Sequence, residues 1–132
     1  MMKKLILILS LYVSSFVWAH ESTGSSEARE WLNIIDAGKY IESWQKTDAF
    51  FKAQLTQNKW HDALKGIRTP LGKVISRSEL SSKKYSSLPG IPDGEYLVIQ
   101  FQTEFINQKS SIETLTLSKN SGQWRAVGYF IK

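Results

Sequence analysis

Few residues in this sequence have the type and placement to do chemistry, and Glu113 is foremost among them. In Ser-Ser-Ile-Glu-Thr-Leu-Thr-Leu (110–117), Glu113 alternates in phase with Leu115 and Leu117, while Ile112, Thr114 and Thr116 take the other parity. On a strand that parity turns Glu113 toward the core. A carboxylate there must be paired, hydrogen-bonded or protonated, because a lone buried charge is very costly. It is then either a pocket carboxylate of raised pKa, able to act as general acid or base or to bind a cation, or half of a structural ion pair. Arg77 is the natural partner and Arg125 the alternative, since a planar guanidinium suits a two-pronged contact with a carboxylate. Either arginine would equally hold an anionic ligand at a cavity mouth. The structural pair is the favoured reading.

Asp36 follows an apolar helical face and precedes Ala37-Gly38. A helix-terminal aspartate commonly binds nearby backbone or a tyrosine hydroxyl. Trp31, Trp44, Trp60 and Trp124 all sit at core-facing periods, so packing is their first role and one or two of them line a cavity. Glu113, Arg77, Asp36, Tyr129 and Trp44 are thus the candidate ligand-pocket residues, with no catalytic set assigned. His61 stands alone, His20 lies in a polar lead, and cysteine is absent. A metal site wants several clustered ligands, so neither metal nor cofactor is expected. The serines at 81, 82, 86 and 87 lack a glycine-flanked elbow, and the glycines mark single turns rather than a phosphate-cradling loop.

The elements that must position these residues start after a leader. Met1-Met2-Lys3-Lys4 is a basic start, residues 5–17 are apolar apart from serines, and Val17-Trp18-Ala19 fits a cleavage site after Ala19. The stretch falls short of the roughly 20 apolar residues of a membrane span. Residues 1–19 therefore read as a signal peptide, residues 20–26 as a disordered lead, and residues 27–132 as a single domain. Export across an inner membrane to the periplasm is the expectation, with no stable membrane anchor after cleavage. The formal charge of the whole chain is +5, but two of its lysines fall in the leader and the others are scattered. A nucleic-acid binder would gather them on one face, so nucleic acid is not an expected partner.

Ser26 is positioned to cap a first helix whose apolar face is Ala28, Trp31, Leu32 and Ile35, and Gly38 supplies a left-handed stop. A short second helix holds Tyr40, Ile41 and Trp44. Thr47 or Asp48 restarts the chain, with Phe51 and Leu55 four apart. Thr56 caps a last helix with the face Trp60, Ala63, Leu64 and Ile67, closed at Arg68-Thr69-Pro70. From Gly72 the period changes to two, giving strands over 73–86, 95–105, 110–119 and 122–132. In the first, Arg77 shares a face with Ile75. In the last, Trp124, Ala126, Gly128 and Phe130 take one face and Arg125, Val127, Tyr129 and Ile131 the other. Both of those faces are largely apolar, which predicts helices on one side and a loop or second subunit on part of the other. Helices followed by hairpin-linked strands define an α+β fold, with N-terminal helices on one face of a curved antiparallel sheet of about four strands.

The blocks WLNIIDAGKYIESW (31–44), IRTPLGKVISR (67–77), LPGIPDGEYLVIQFQTEF (88–105), IETLTL (112–117) and GQWRAVGYFIK (122–132) resemble the bacterial secreted family of domain of unknown function 4019. The layout is similar to the cone-shaped nuclear transport factor 2-like folds, whose relatives include ketosteroid-isomerase-like enzymes and many modules that only bind or assemble. In the enzymes an aspartate and a tyrosine divide base and oxyanion roles, which Asp36 with Tyr40, Tyr96 or Tyr129 would imitate. Fold alone does not choose among these uses. The expected function is a non-catalytic module binding a small apolar ligand or an envelope protein, with a homodimer allowed. An isomerase- or dehydratase-type enzyme using a pocket carboxylate and a tyrosine is the alternative.

Overall fold

Apolar residues at 28, 31, 32 and 35 mark one face of a helix, and α1 (Ser25–Asp36) buries all four of them. The computed structural model describes residues 24–132, so the leader and residues 20–23 of the lead lie outside the described residues. The cap is Gly24 rather than Ser26: Gly24 takes φ 84°, and Ser25 and Ser26 already belong to the helix. Space explains the choice, because a Cβ on Gly24 would lie 2.6 Å from Leu97 Cδ2. Buried Ser25 donates to Glu79 at 2.5 Å and so ties the helix start to the sheet. Gly38, at φ 76°, ends the helix as its sequence predicts.

Three helices follow: α2 (Tyr40–Gln45), α3 (Ala49–Gln54) and α4 (Gln57–Leu71). Asp48 caps α3 by accepting from Phe50 N at 2.9 Å, and Thr56 caps α4 by accepting from Lys59 N at 3.3 Å. The inner face of α4 is Trp60, Leu64 and Arg68, while Ala63 and Ile67 are exposed. An arginine four residues beyond Leu64 replaces the expected isoleucine because that turn of the helix meets Asp36. Pro70 lies inside the last turn instead of closing the helix before it. There it forgoes one intrahelical bond. Asn107, in the turn of a hairpin, donates its side chain to Pro70 O and its backbone N–H to Leu71 O.

The sheet is an antiparallel meander in the order β1 (Val74–Tyr85), β2 (Tyr96–Phe105), β3 (Gln108–Ser118) and β4 (Arg125–Ile131). Leu97, Ile99, Phe101, Thr103 and Phe105 turn inward from β2, and Glu113, Leu115 and Leu117 from β3, in the predicted alternation. Both outer strands break it. In β1 the register slips between Val74 and Ser76 and again between Glu79 and Ser81. The extra residues, Ile75 and Leu80, are 58% and 52% exposed, so Arg77 does not share a face with Ile75. In β4 the slip falls at Val127, with Leu117 opposite Ala126 and Leu115 opposite Tyr129. One inserted residue moves every later side chain to the other face. Trp124, Ala126 and Tyr129 therefore all join the core, whereas Phe130, opposite Thr114, is 57% exposed. The apolar residues of both parities in β4 reflect this switch and do not require a cover on the second face.

Between the layers, Trp31 lies 6.1 Å from Trp60, which meets Phe51 edge-on at 5.2 Å. Ser43 satisfies both indoles, its carbonyl accepting from Trp31 Nε1 and its hydroxyl from Trp60 Nε1, each at 2.9 Å. The bulge makes a clear prediction for two adjacent aromatic residues. Tyr129→Ala should cost about 3 kcal/mol or more, and Phe130→Ala no more than about 0.5 kcal/mol, by urea unfolding. The reverse order would mean that β4 keeps one phase throughout.

Candidate functional site

Four of the five candidate residues, Glu113, Arg77, Asp36 and Tyr129, meet where the end of α1, the last turn of α4, β1 and β4 converge on β3. Glu113, fully buried, accepts from Arg77 Nε at 2.7 Å and Nη2 at 3.2 Å, and from Thr103 Oγ1 at 2.5 Å. The Tyr129 hydroxyl also donates to Glu113 Oε2. Arg77 turns its other edge to Asp36, donating from Nη1 at 2.8 Å and Nη2 at 3.1 Å. Asp36 accepts in addition from Arg68 Nη2 at 2.7 Å. Two carboxylates and two guanidiniums thus form one network that sums to neutral, buried at Glu113, Arg77 and Arg68 and reaching solvent at Asp36. Arg68 lies 5.1 Å from the Phe105 ring centroid, and its Nε and Nη1 are buried without a hydrogen-bond partner among the described residues. Stacking on the ring offsets part of that cost.

Electrostatics follow the geometry. Burial alone would push the Asp36 carboxyl upward, but the bonds and charges of Arg77 and Arg68 outweigh it and hold the group below its usual range. Burial opposes the charge on Arg77 too, and its two carboxylate partners reverse the effect, raising its pKa. Burial and then the adjacent Glu113 charge push the Tyr129 phenol well above its ordinary value, so it stays a neutral donor. Every carboxylate oxygen in the network is therefore engaged.

The other candidates go elsewhere. Trp44 is half-buried, donates from Nε1 to Leu55 O at 2.8 Å and has Lys52 Nζ 5.7 Å from its ring centroid. Arg125 does not reach Glu113; it donates to Gln123 Oε1 at 3.3 Å. Tyr40 packs edge-on to His61, and Tyr96 donates to Pro92 O at the far rim, so neither joins Asp36. A tyrosine–carboxylate pair does exist, but it is Tyr129 with Glu113 and an arginine closes it. Sequence reasoning missed Arg68 and Thr103. Arg68 was visible in principle, eight residues after Trp60 and four after Leu64.

A cleft of about 620 Å³ opens away from this network, between α1 and the β3–β4 hairpin. Its floor is apolar, formed by Trp31, Ile34, Leu117, Trp124 and Ala126. Glu27 and Glu30 stand on the α1 side, and Lys46, Lys119 and Arg125 on the other side. Trp31 separates cleft from network: it also meets Tyr129 edge-on at 5.5 Å. The cleft is the concavity suited to a ligand, and the network is the interior's polar closure.

Helices gathered on one face of a four-stranded antiparallel meander, with arginines and carboxylates locked between the layers, make this an α+β domain with an open sheet. The chain belongs to the family described as protein of unknown function (DUF4019), whose profile matches residues 27–129. No curated protein matches it.

Two measurements check the network. Arg77→Met should cost about 3–5 kcal/mol by leaving a buried charge unpaired, and adding Glu113→Leu should recover most of that loss. A double variant as unstable as the single one would refute the pairing. The depressed Asp36 pKa makes its contribution full above the unfolded carboxylate value, about 3.9, and lost as pH falls through the lower folded value. The urea midpoint of the wild type should thus fall more steeply in acid than that of Asp36→Asn. Parallel curves would remove Asp36 from the pH dependence.

Proposed function

We propose that the protein is a non-catalytic binding module that takes a small ligand with an apolar body into the cleft between α1 and the β3–β4 hairpin. The observation that carries this reading is the engagement by arginine of both carboxylates of the network, the buried Glu113 and the partly exposed Asp36. An isomerase or dehydratase needs a carboxylate free to take a proton, facing an open pocket. Asp36 and Glu113 instead accept from two guanidiniums, and the cleft does not open on them. Its volume falls within the range of small-molecule sites, and its floor of two indoles and aliphatic side chains suits an apolar body. The order of helices and then meander also supports a nuclear transport factor 2-like layout. The basic and then apolar leader supports export, with the periplasm as the place of work.

The test is native mass spectrometry of residues 20–132, purified gently from a secreting host and compared with the denatured mass. We expect extra mass that is lost on denaturation. Ile34→Glu, which sets a charge on the half-buried α1 side of the floor, should abolish it. A bare wild-type protein would count against a ligand. The same spectrum reads monomer or dimer, and a dimer that Phe130→Ser dissociates would place a second copy on the outer sheet face.

A further inference from the structure

The cleft is electrically divided. Glu27 and Glu30 fall three apart along α1, on the same side as Ile34. Across the floor stand Lys46, just past α2, Lys119, just past β3, and Arg125, at the start of β4. None of the three cations forms an ion pair with a described residue. Lys119 lies 5.5 Å from the Trp124 ring centroid, and the side-chain partner of Arg125 among the described residues is the neutral Gln123 amide. On the opposite side the Glu27 carboxylate accepts from the Ser26 hydroxyl, and among the described residues neither Glu27 nor Glu30 forms an ion pair. Opposite charges line one concavity and do not neutralise each other across it. The interior network is the contrast, with every carboxylate there bound directly to a guanidinium.

From this division we infer that the cleft selects a zwitterionic ligand with an apolar middle, of the kind a short peptide with free ends provides. Its ammonium lies against Glu27 and Glu30, its carboxylate against Lys119, Arg125 and Lys46, and its side chains over the apolar floor. This rests on the binding-module reading and narrows it, because a ligand with one charged end would leave one side of the cleft unanswered. Each charged contact adds to binding only when both partners are ionised and in reach. Trp31 and Trp124, both in the floor, supply the optical signal.

The probe is trileucine, titrated into residues 20–132 with tryptophan fluorescence and calorimetry beside its N-acetyl, C-amide and doubly blocked forms. Free trileucine should bind best, and blocking either end should weaken binding about tenfold or more, the scale of one charge-assisted contact. Arg125→Gln with Lys119→Gln should erase the difference between free and amidated peptide and keep the difference between free and acetylated peptide. Glu27→Gln with Glu30→Gln should do the reverse. Equal binding of all four forms would overturn the zwitterion inference and leave an apolar-ligand cleft standing. If no form binds, the inference fails as well. A co-purified mass in native spectrometry would then keep the binding-module reading, and a bare protein would remove both.

Discussion

Arg77 is the residue on which the interior depends. Its guanidinium bridges the end of the first helix to the third strand, with Asp36 on one edge and Glu113 on the other. Burying the charges of Glu113, Arg77 and Arg68 is expensive, and attraction within the network, with Asp36 at its solvent edge, repays the cost only when the geometry is good and the remaining lone pairs are filled. Thr103 and Tyr129 fill those of Glu113. Arg68 completes Asp36 from the last turn of its helix, where a cation is also favoured by the helix dipole. The same dipole disfavours Asp36 at the end of α1, so the arginines answer a local cost as well as a buried one.

Closing the interior in this way divides the molecule's tasks between two places. The carboxylate oxygens of the network are all committed to partners within it, while the charged groups around the cleft form no ion pairs among the described residues. Trp31 is the wall between them, one edge on the cleft and the other against the ring of Tyr129. Its indole N–H is held by the Ser43 carbonyl, which fixes the wall in place.

The parts of this arrangement that were legible in the sequence are those carried by periodicity. Period two placed Glu113 with Leu115 and Leu117, and helical spacing placed Trp31 with Leu32 and Ile35; both groups are buried. Arg77 as partner followed from its charge and its strand, although the face assigned beside Ile75 was wrong because a bulge intervenes. Bulges leave no mark in residue type: Ile75, Leu80 and Val127 look like ordinary strand residues. Arg68 was hidden by Ile67, since apolarity is the usual guide to an inner face and here a carboxylate waited beneath the helix. The cleft was illegible for another reason. Its two sides come from opposite ends of the domain, and no local pattern announces that Glu30 will face Arg125.

The register slips have a further consequence at the two borders of the open sheet. An edge strand offers unpaired N–H and C=O groups on which a foreign chain can stack. Here β1 carries two slips and the adjacent lysines Lys83 and Lys84, and β4 carries one, with Asp48 N–H already bound to Ala126 O. A straight intruding strand would lose its ladder within a few residues on either side. The irregularities that turn Arg77 and Tyr129 toward the core therefore also guard the domain against edge-to-edge growth into aggregates.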